Sequence, residues 1–254
     1  MILALILGAS LLVSVGGTGA AAMVLLVPDA VRERITRVLL AFAVGVLLAS
    51  ALLGLLPHAV EHGGKLESIM GAMLGTLVAL IAIEKVILWG HSHPDEADGH
   101  HHRHHAAHTM GPMVLIADGL HNLIDGVVIA AAFSASIPLG LTTTLAVAAH
   151  ELPHEVSDFA VLLEAGYSRG KALLLNMAAS GTTFIGALLA YFVLDGVEQA
   201  LPYALAAAAA SFIYIAIAAL VPILHSRTDL RSSLIQLMSI GAGIGLTVLL
   251  HEWL

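Results

Sequence analysis

The chain has 254 residues, of which 59% are hydrophobic and only 11% are charged, and its formal net charge is −8. Soluble domains carry about 25% charged residues, so the composition excludes an ordinary soluble domain and predicts an integral membrane protein. The lack of cysteine excludes disulfide bonds and thiolate metal sites, whereas histidine is abundant, with 15 residues against 10 lysines and arginines.

Eight segments are long and apolar enough to cross a bilayer, because a transmembrane helix needs about 20 apolar residues. The sequence therefore predicts one all-α transmembrane domain over residues 1–254. The first segment lacks a basic start and is longer than the apolar core of a signal peptide, about 7–15 residues, so we expect it to be a transmembrane helix. The predicted spans are residues 2–27, 36–60, 66–90, 110–133, 138–164, 170–194, 199–224 and 231–253.

The positions of lysine and arginine predict how these spans are oriented. Cytoplasmic loops are enriched in both residues, and every lysine and arginine except Lys65 lies on alternate loops or at the span ends beside them. Both termini are therefore predicted to lie outside. The predicted cytoplasmic residues are Arg32, Arg34, Arg37, Lys85, Arg103, Arg169, Lys171, Arg227 and Arg231.

The segment between the third and fourth spans, residues 91–108, is predicted to be a histidine-rich cytoplasmic loop. Clustered imidazoles bind Zn²⁺, Ni²⁺ or Cu²⁺ loosely, so the loop would catch or sense metal on that side; a neutral spacer is the alternative. The imidazoles belong to His91, His93, His100, His101, His102, His104, His105 and His108.

The fourth and fifth spans carry ionisable side chains within apolar sequence. A charged side chain at the centre of a membrane helix costs about 2.5–3.5 kcal/mol on insertion scales, so several together need something that binds them. Residues four apart share a helix face, and the two spans therefore present facing polar stripes. The fourth span contributes Asp118, His121, Asn122 and Asp125, and the fifth contributes His150, Glu151, His154, Glu155 and Asp158.

These donor types indicate which metal the stripes would bind. Imidazoles and carboxylates without thiolates favour Zn²⁺, with Fe²⁺, Mn²⁺, Co²⁺ and Cd²⁺ as alternatives. A carboxylate at Asp125 can bridge, so the stripes predict room for two ions. Pro153 removes a backbone donor from the fifth span and predicts a kink. A purely structural role for both stripes is the alternative to a metal site.

Residues 150–154 also match H-E-x-x-H, the zinc-protease motif in which the glutamate is the general base. An intramembrane zinc metalloprotease is therefore the alternative function. In such enzymes an Asp-Gly ligand motif follows H-E-x-x-H, whereas Asp125-Gly126 precedes it here. Pro153 inside the motif and a second polar cluster also fit a catalytic zinc poorly.

Taken together, the two stripes resemble the motifs of the Zrt/Irt-like (ZIP) metal transporters, above all the subfamily whose fifth span reads HExPHExGD. Eight spans, outside termini and a histidine-rich loop before the fourth span agree with that resemblance, which covers essentially the whole chain. The motifs concerned are His121-Asn122-x-x-Asp125-Gly126, His150-Glu151-x-Pro153-His154-Glu155-x-x-Asp158, Leu55-Leu56-Pro57-His58-Ala59 and Glu84-Lys85.

The chain departs from the subfamily at a few positions. Ser157 replaces the usual glycine before the final aspartate, and Ser50 and Gly54 stand where the second span usually carries Asp and His. Residues 180–183 read Ser-Gly-Thr-Thr, where some relatives carry a glutamate for a second metal. The auxiliary ligands of the second and sixth spans are therefore not expected here.

The resemblance implies a metal importer and not an enzyme. His121, Asp125, His150 and His154 would form a primary site, and Asn122 and Glu151 would form a second site that shares Asp125 and His154. It further implies a multi-pass protein of the cell membrane (the inner membrane in a Gram-negative bacterium), with a moving four-helix unit. The expected partners are divalent metal ions, zinc first, the lipid bilayer and a second copy in a homodimer, and no nucleic acid.

Two further patterns suggest supporting roles. Small residues four apart, Gly71 with Gly75 and Gly241 with Gly245, predict close helix packing. His58, Glu61 and His62 lie at the predicted outer end of the second span. They would collect metal at the entrance, with capping of the helix surface as the alternative.

Overall fold

The computed structural model describes residues 1–24, 26–62, 65–91, 102–194, 198–225 and 229–253. Throughout these residues the chain forms helices joined by short turns, with no strand. The all-α prediction is therefore confirmed for the described part of the chain.

The described helical segments group into eight rods that match the eight predicted spans, and we number them in chain order. Three of the rods contain a π-helical stretch, at Leu12–Gly16, Ser50–Leu55 and Ile215–Leu220. One rod is interrupted at Gly181, between Arg169–Ser180 and Thr182–Leu194. The rods are α1 (Ile2–Val24), α2 (29–61), α3 (Leu66–His91), α4 (His102–Ala135), α5 (Ile137–Glu164), α6 (169–194), α7 (198–224) and α8 (Leu230–Trp253).

Among the described residues, seven helices are long and apolar enough to cross a membrane. The rod outside this group is α5, which has 28 residues and is therefore longer than the about 20 residues that a span requires. Its polar stripe, including His150, Glu151 and His154, lowers its hydropathy. The count of eight spans and the outside location of both termini remain predictions.

The fourth rod begins earlier than the sequence predicts. Because α4 starts at His102, the prediction that all of residues 91–108 form a loop is wrong for residues 102–108, and His91 ends α3. Residues 102–108 contain arginine and two alanines, which favour helix, whereas Pro94 and Gly99 come before them. Residues 92–101 lie outside the described residues, and the cytoplasmic location of the segment remains a prediction.

A tight turn pairs α4 with α5 and so brings the two polar stripes together. Ser136 caps α5, since its hydroxyl oxygen accepts a hydrogen bond from the Leu139 amide at 3.2 Å. The ring of Phe133 lies against Gly140, where a Cβ atom would come within 2.2 Å of the ring. Consecutive helices joined by so short a turn are antiparallel neighbours.

Two pairs of helices approach each other closely through glycines. Between α4 and α6, a Cβ on Gly126 would lie 1.9 Å from the Thr183 carbonyl oxygen, and a Cβ on Gly186 would lie 1.9 Å from that of Leu123. Between α2 and α8, a Cβ on Gly45 would lie 2.1 Å from the Ile240 carbonyl oxygen. These positions accept only glycine without a shift of the backbone.

The glycines that were predicted to pack closely from their four-residue spacing do not lie at helix contacts within the chain. A Cβ on any of them would meet no described atom within 4 Å, so the prediction of close packing at these positions is wrong for contacts within the chain. Spacing alone identified the pairs, whereas the face that a helix turns to its neighbours depends on the whole packing arrangement. The four positions are Gly71, Gly75, Gly241 and Gly245.

We predict that Gly186→Ala lowers the thermal unfolding temperature of the purified protein, whereas Gly8→Ala, at a position with no described atom within 4 Å of an added Cβ, leaves it unchanged or raises it slightly. Overpacking costs about 1–3 kcal/mol, which exceeds the gain of about 1 kcal/mol from replacing a helical glycine by alanine. Thermal unfolding of both variants in the same detergent measures the difference. An unfolding temperature for Gly186→Ala equal to that of Gly8→Ala would contradict the packing described here.

Candidate metal centre

Four side chains from α4 and α5 converge on one point, and we call them the first cluster: His121, Asp125, His150 and Glu151. Each offers one donor atom, and these atoms all lie within 4.8 Å of one another. His121 Nε2 is 3.3 Å from His150 Nε2 and 3.3 Å from Glu151 Oε1. His150 Nε2 is 3.1 Å from Asp125 Oδ2 and 3.6 Å from Glu151 Oε1.

The backbone of α5 orients the imidazole of His150. Its Nδ1 lies 2.9 Å from the Ala146 carbonyl oxygen, and because a carbonyl only accepts, Nδ1 must carry the proton of that hydrogen bond. In the neutral ring, Nε2 then presents a lone pair towards Asp125 and Glu151. Lone pairs that point at one another repel unless a cation lies between them. This is the arrangement that a hydrogen-bonded metal-ligating histidine adopts.

The first cluster is buried, so its carboxylates have lost hydration that a bound cation would offset. Asp125 and Glu151 are each 1% exposed, and His150 is 2% exposed. Asp125 Oδ2 and both Glu151 carboxylate oxygens are buried without a hydrogen bond from any residue that the structure describes. Removing a carboxylate from water costs several kcal/mol unless an opposite charge compensates for it, so these oxygens are suited to a bound cation.

Three more side chains form a second cluster: Asp118, His154 and Asp158. Their donor atoms also lie within 4.8 Å of one another. His154 Nδ1 lies 3.4 Å from Asp118 Oδ1 and 3.3 Å from Asp158 Oδ2. The ring centroids of His121 and His154 are 5.2 Å apart, so the two clusters adjoin.

Asn122 lies outside both clusters and links α4 to α6. Its amide nitrogen donates to Asp118 Oδ1 at 2.8 Å, and its amide oxygen accepts from the Thr183 hydroxyl at 2.9 Å. Both polar atoms of the buried amide are therefore used in protein contacts, which hold the Asp118 carboxylate in place.

Glu155 also lies outside both clusters, and its carboxylate contacts α1 and α6. Its Oε2 accepts a hydrogen bond from the Asn176 amide of α6, and its Oε1 lies 3.3 Å from the Thr18 hydroxyl of α1. In the same region the Ser14 hydroxyl donates to the Ser180 carbonyl at 2.8 Å, next to the interruption of α6. The buried Glu155 carboxylate thus joins α1, α5 and α6.

The structure groups the sequence-predicted residues differently from the expected ligand sets. His121, Asp125 and His150 lie together as expected, but Glu151 completes their cluster, whereas the His154 Nδ1 atom lies between Asp118 and Asp158. Helical spacing places Glu151 and His154 on adjoining faces of α5, and the rotation of α5 against α4 decides which face meets which donors. The metal-ligand roles remain proposals for the eight residues predicted to bind the ion: His121, Asn122, Asp125, His150, Glu151, His154, Glu155 and Asp158.

Several supporting residues went undetected in the sequence. Thr183, Asn176, Thr18 and Ser14 are buried and hold the donor-bearing helices through hydrogen bonds. Single hydroxyl and amide residues are common in membrane helices, so their positions gave no separate signal. The one available sign was that the Ser-Gly-Thr-Thr stretch at 180–183 falls in the middle of a span.

The histidines at the end of α2 contact one another and the backbone of their own helix, and His58 Nε2 also lies 3.5 Å from the hydroxyl oxygen of Ser136, the residue before α5. The rings of His58 and His62 are stacked with centroids 6.3 Å apart. His58 Nδ1 lies 3.0 Å from the Gly54 carbonyl oxygen, and His62 Nδ1 lies 2.8 Å from that of His58. These contacts fit the alternative in which the residues cap the helix surface, and a role in collecting metal remains a prediction.

Comparison with known proteins shows which family the chain belongs to. The chain matches the family described as ZIP Zinc transporter over residues 2–108 and 84–251. Mouse zinc transporter ZIP4 is 43% identical over 139 residues, which cover 54% of this chain and 21% of the mouse protein. Zinc transporter foi of Drosophila melanogaster is 40% identical over 141 residues, covering 54% of this chain and 20% of that protein.

A third relative matches over a longer stretch. Zinc transporter ZIP13 of Pongo abelii is 32% identical over 225 residues, which cover 83% of this chain and 65% of that protein. The chain spans about a fifth of the length of the ZIP4 proteins that it matches. The protease alternative gains no support from any of these matches. The chain belongs to the ZIP zinc transporter family and is a multi-pass membrane protein.

Proposed function

We propose that this protein carries divalent metal ions, zinc first, across the cell membrane into the cytoplasm through the first cluster. The observation that supports this most directly is the convergence of four donor atoms from α4 and α5 within 4.8 Å, two of them on buried carboxylates. The zinc transporters among the relatives support the metal, and the predicted orientation supports the direction. Chemical conversion of a substrate has no part in this function.

The donor geometry suits a tetrahedral zinc ion. Two nitrogen or oxygen ligands bound to zinc at about 2.0–2.1 Å and at the tetrahedral angle are about 3.3–3.4 Å apart. The separations around His150 Nε2 are 3.1 Å to Asp125, 3.3 Å to His121 and 3.6 Å to Glu151. His121 Nε2 and Asp125 Oδ2 are 3.9 Å apart, so this pair would have to approach by about 0.5 Å for all four donors to bind one tetrahedral zinc ion.

Charge balance supports a divalent ion in particular. The carboxylates of Asp125 and Glu151 would neutralise a doubly charged cation, and the two neutral imidazoles of His121 and His150 add donors without adding charge. A neutral complex lowers the cost of moving the ion away from water. Without thiolates the binding stays weaker than in a closed cysteine site, which a carrier that must release its ion requires.

Asn122 and Glu155, whose roles as ligands remain part of the proposal, also support the site through their hydrogen bonds. The hydrogen bonds of Asn122 to Asp118 and Thr183 fix one wall of the site, and those of Glu155 fix α5 against α1 and α6. Partners of this kind orient metal ligands and tune their affinity.

We expect His150→Ala and Asp125→Ala to reduce zinc uptake to the level of empty vesicles, because each removes a donor from the first cluster. The measurement is the uptake of radioactive Zn²⁺ into proteoliposomes that contain the purified protein. Ser157→Ala is the matched control, since Ser157 lies exposed on the same helix. Thermal unfolding establishes that each variant remains folded.

The possible outcomes of this experiment separate the alternatives. Uptake at the wild-type rate in both variants would refute the site. No uptake in any form of the protein, together with zinc-dependent cleavage of a membrane peptide, would instead favour the protease. Saturable uptake that is lost only in the cluster variants would establish transport through these residues.

The homodimer that the family resemblance implies would form along α3. Only 6% of the residues are buried in the candidate span Leu66–Ile83 of α3. In the candidate span Leu230–Leu250 of α8 the share of buried residues is 11%. Gly71 and Gly75 face outward on α3 with no described atom near their Cβ positions. Small residues at this spacing allow close contact between membrane helices, so the face suits a second copy of the chain.

Since the chain has no cysteine, a single introduced cysteine can report this contact without background. We predict that Gly75→Cys forms a disulfide-linked dimer under mild oxidation in the membrane, because two copies of α3 would bring the two thiols together. Leu189→Cys is the control, as Leu189 is 56% exposed on α6. Equal cross-linking of the two variants would reject the α3 interface, and cross-linking of Gly245→Cys alone would move it to α8.

A further inference from the structure

A cavity of about 360 Å³ lies between the starts of α2 and α8, two helices that carry none of the donor atoms of the metal centre. We call it the arginine pocket, because Arg34 and Arg37 of α2 and Arg231 of α8 line it. Asp229 is the one acidic residue among the described residues of the lining. The volume falls within the range of small-molecule sites, about 300–1,000 Å³, and the lining carries more positive than negative charge.

Asp229 by itself does not balance the three guanidinium groups. Its Oδ2 accepts a hydrogen bond from the Ser232 amide at 3.0 Å, which caps the start of α8, and one carboxylate neutralises one positive charge. The start of α8 adds the positive end of a helix dipole. Guanidinium groups are permanently charged and bind phosphate oxygens through paired N–H groups. The lining of the arginine pocket is therefore suited to a phosphate anion.

The walls of the pocket are fixed by packing further along the helices. The helices α2 and α8 run parallel, since both begin at the pocket and Gly45 of α2 meets Ile240 of α8 beyond it. Gln236 also lines the pocket, and its Nε2 donates to the Leu224 carbonyl oxygen at 3.1 Å, which joins α8 to the end of α7. Because this frame is already formed, binding an anion would order little additional backbone.

The pocket lies where two membrane spans begin. The candidate spans Arg34–Glu61 and Leu230–Leu250 both start at residues beside it, so the pocket is at the level of the lipid headgroups. The lysine and arginine pattern predicts that this end faces the cytoplasm. Anionic phospholipids are concentrated in the cytoplasmic leaflet, and basic pockets between transmembrane helices on that side bind their headgroups.

An apolar surface continues from the pocket along α8. Leu234, Leu237 and Met238 are each more than half exposed. Helix rise places them about 4–11 Å beyond Arg231, towards the hydrocarbon. Val38 and Ile235 supply apolar groups to the pocket itself. A molecule with a phosphate at one end and acyl chains at the other matches this sequence of surfaces.

From the charge, the depth and the adjoining apolar surface, we infer that the arginine pocket binds the headgroup of an anionic phospholipid, with the acyl chains lying along α8. The bound phosphate would hold the starts of α2 and α8 together through guanidinium groups of both helices. This inference is independent of the proposed transport function, since it requires only that the chain spans a membrane.

A binding titration with radiolabelled phosphatidylglycerol tests the inference. The purified protein is equilibrated with mixed micelles of detergent and labelled lipid and is then captured, so that the bound lipid can be counted. We predict that Arg34→Gln and Arg231→Gln each weaken binding about fivefold and that the double variant weakens it about 25-fold, because each basic residue near a membrane surface contributes about that factor. Arg169→Gln is the matched control, since Arg169 is an exposed arginine at the start of α6.

Two competitors identify what the pocket recognises. Phosphatidylcholine should bind more weakly than phosphatidylglycerol, because its choline cancels the phosphate charge. Millimolar inorganic phosphate at constant ionic strength should leave the lipid bound, because it lacks acyl chains to cover the apolar surface. Displacement of the lipid by inorganic phosphate would make the pocket a site for a free anion and would overturn the assignment to a lipid.

Thermal unfolding gives a second measurement on the same proteins. A ligand that binds only the folded state raises the unfolding temperature, so phosphatidylglycerol should stabilise the wild type and Arg169→Gln but not the double variant. If the double variant does not fold, the two single variants still decide the question, since Arg34 and Arg231 are exposed. Equal affinity for phosphatidylglycerol in the wild type and in both single variants, or equal affinity of the wild type for the two lipids, would refute the inference.

Discussion

The burial of carboxylates at membrane depth is the constraint on which the rest of the structure depends. Asp118, Asp125 and Glu151 are almost completely buried on two adjacent helices that lie within apolar sequence. In such an environment isolated charges are costly, and paired charges are tolerated only with well-placed partners. Imidazoles from the same helices face these carboxylates. A divalent cation between them would neutralise the negative charge that the protein alone leaves unbalanced.

The side chains behind the clusters explain why the donors can be held so close together. Thr183 binds Asn122, Asn122 binds Asp118, and the Ala146 carbonyl orients His150. Each of these contacts comes from the backbone or from a short side chain, so little conformational entropy is lost in ordering them. Glycines at the crossing of α4 and α6 bring the two helices close enough for the Thr183 hydroxyl to reach across.

Hydropathy and charge spacing predicted much of this fold and part of the site. The predicted spans agree with the rods to within a few residues at most ends, because long apolar runs in a membrane protein have little choice but helix. Helical spacing also placed His121 and Asp125 on one face of α4 and His150 on the polar stripe of α5. It did not predict that Glu151 would replace His154 in the first cluster, since this depends on the rotation of α5, which packing contacts such as that of Phe133 against Gly140 determine.

The distribution of hydrogen bonds has a mechanical consequence. Polar contacts tie α1, α4, α5 and α6 together, through Ser14 with Ser180, Thr183 with Asn122, and Asn176 with Glu155. The helical stretch Leu201–Tyr214 of α7, which includes the alanine-rich residues 204–210, packs against α2, α3 and α4. A displacement of any one of the four bonded helices therefore strains hydrogen bonds to the others, so residues outside the two clusters help to hold the donor atoms of α4 and α5 at their mutual distances.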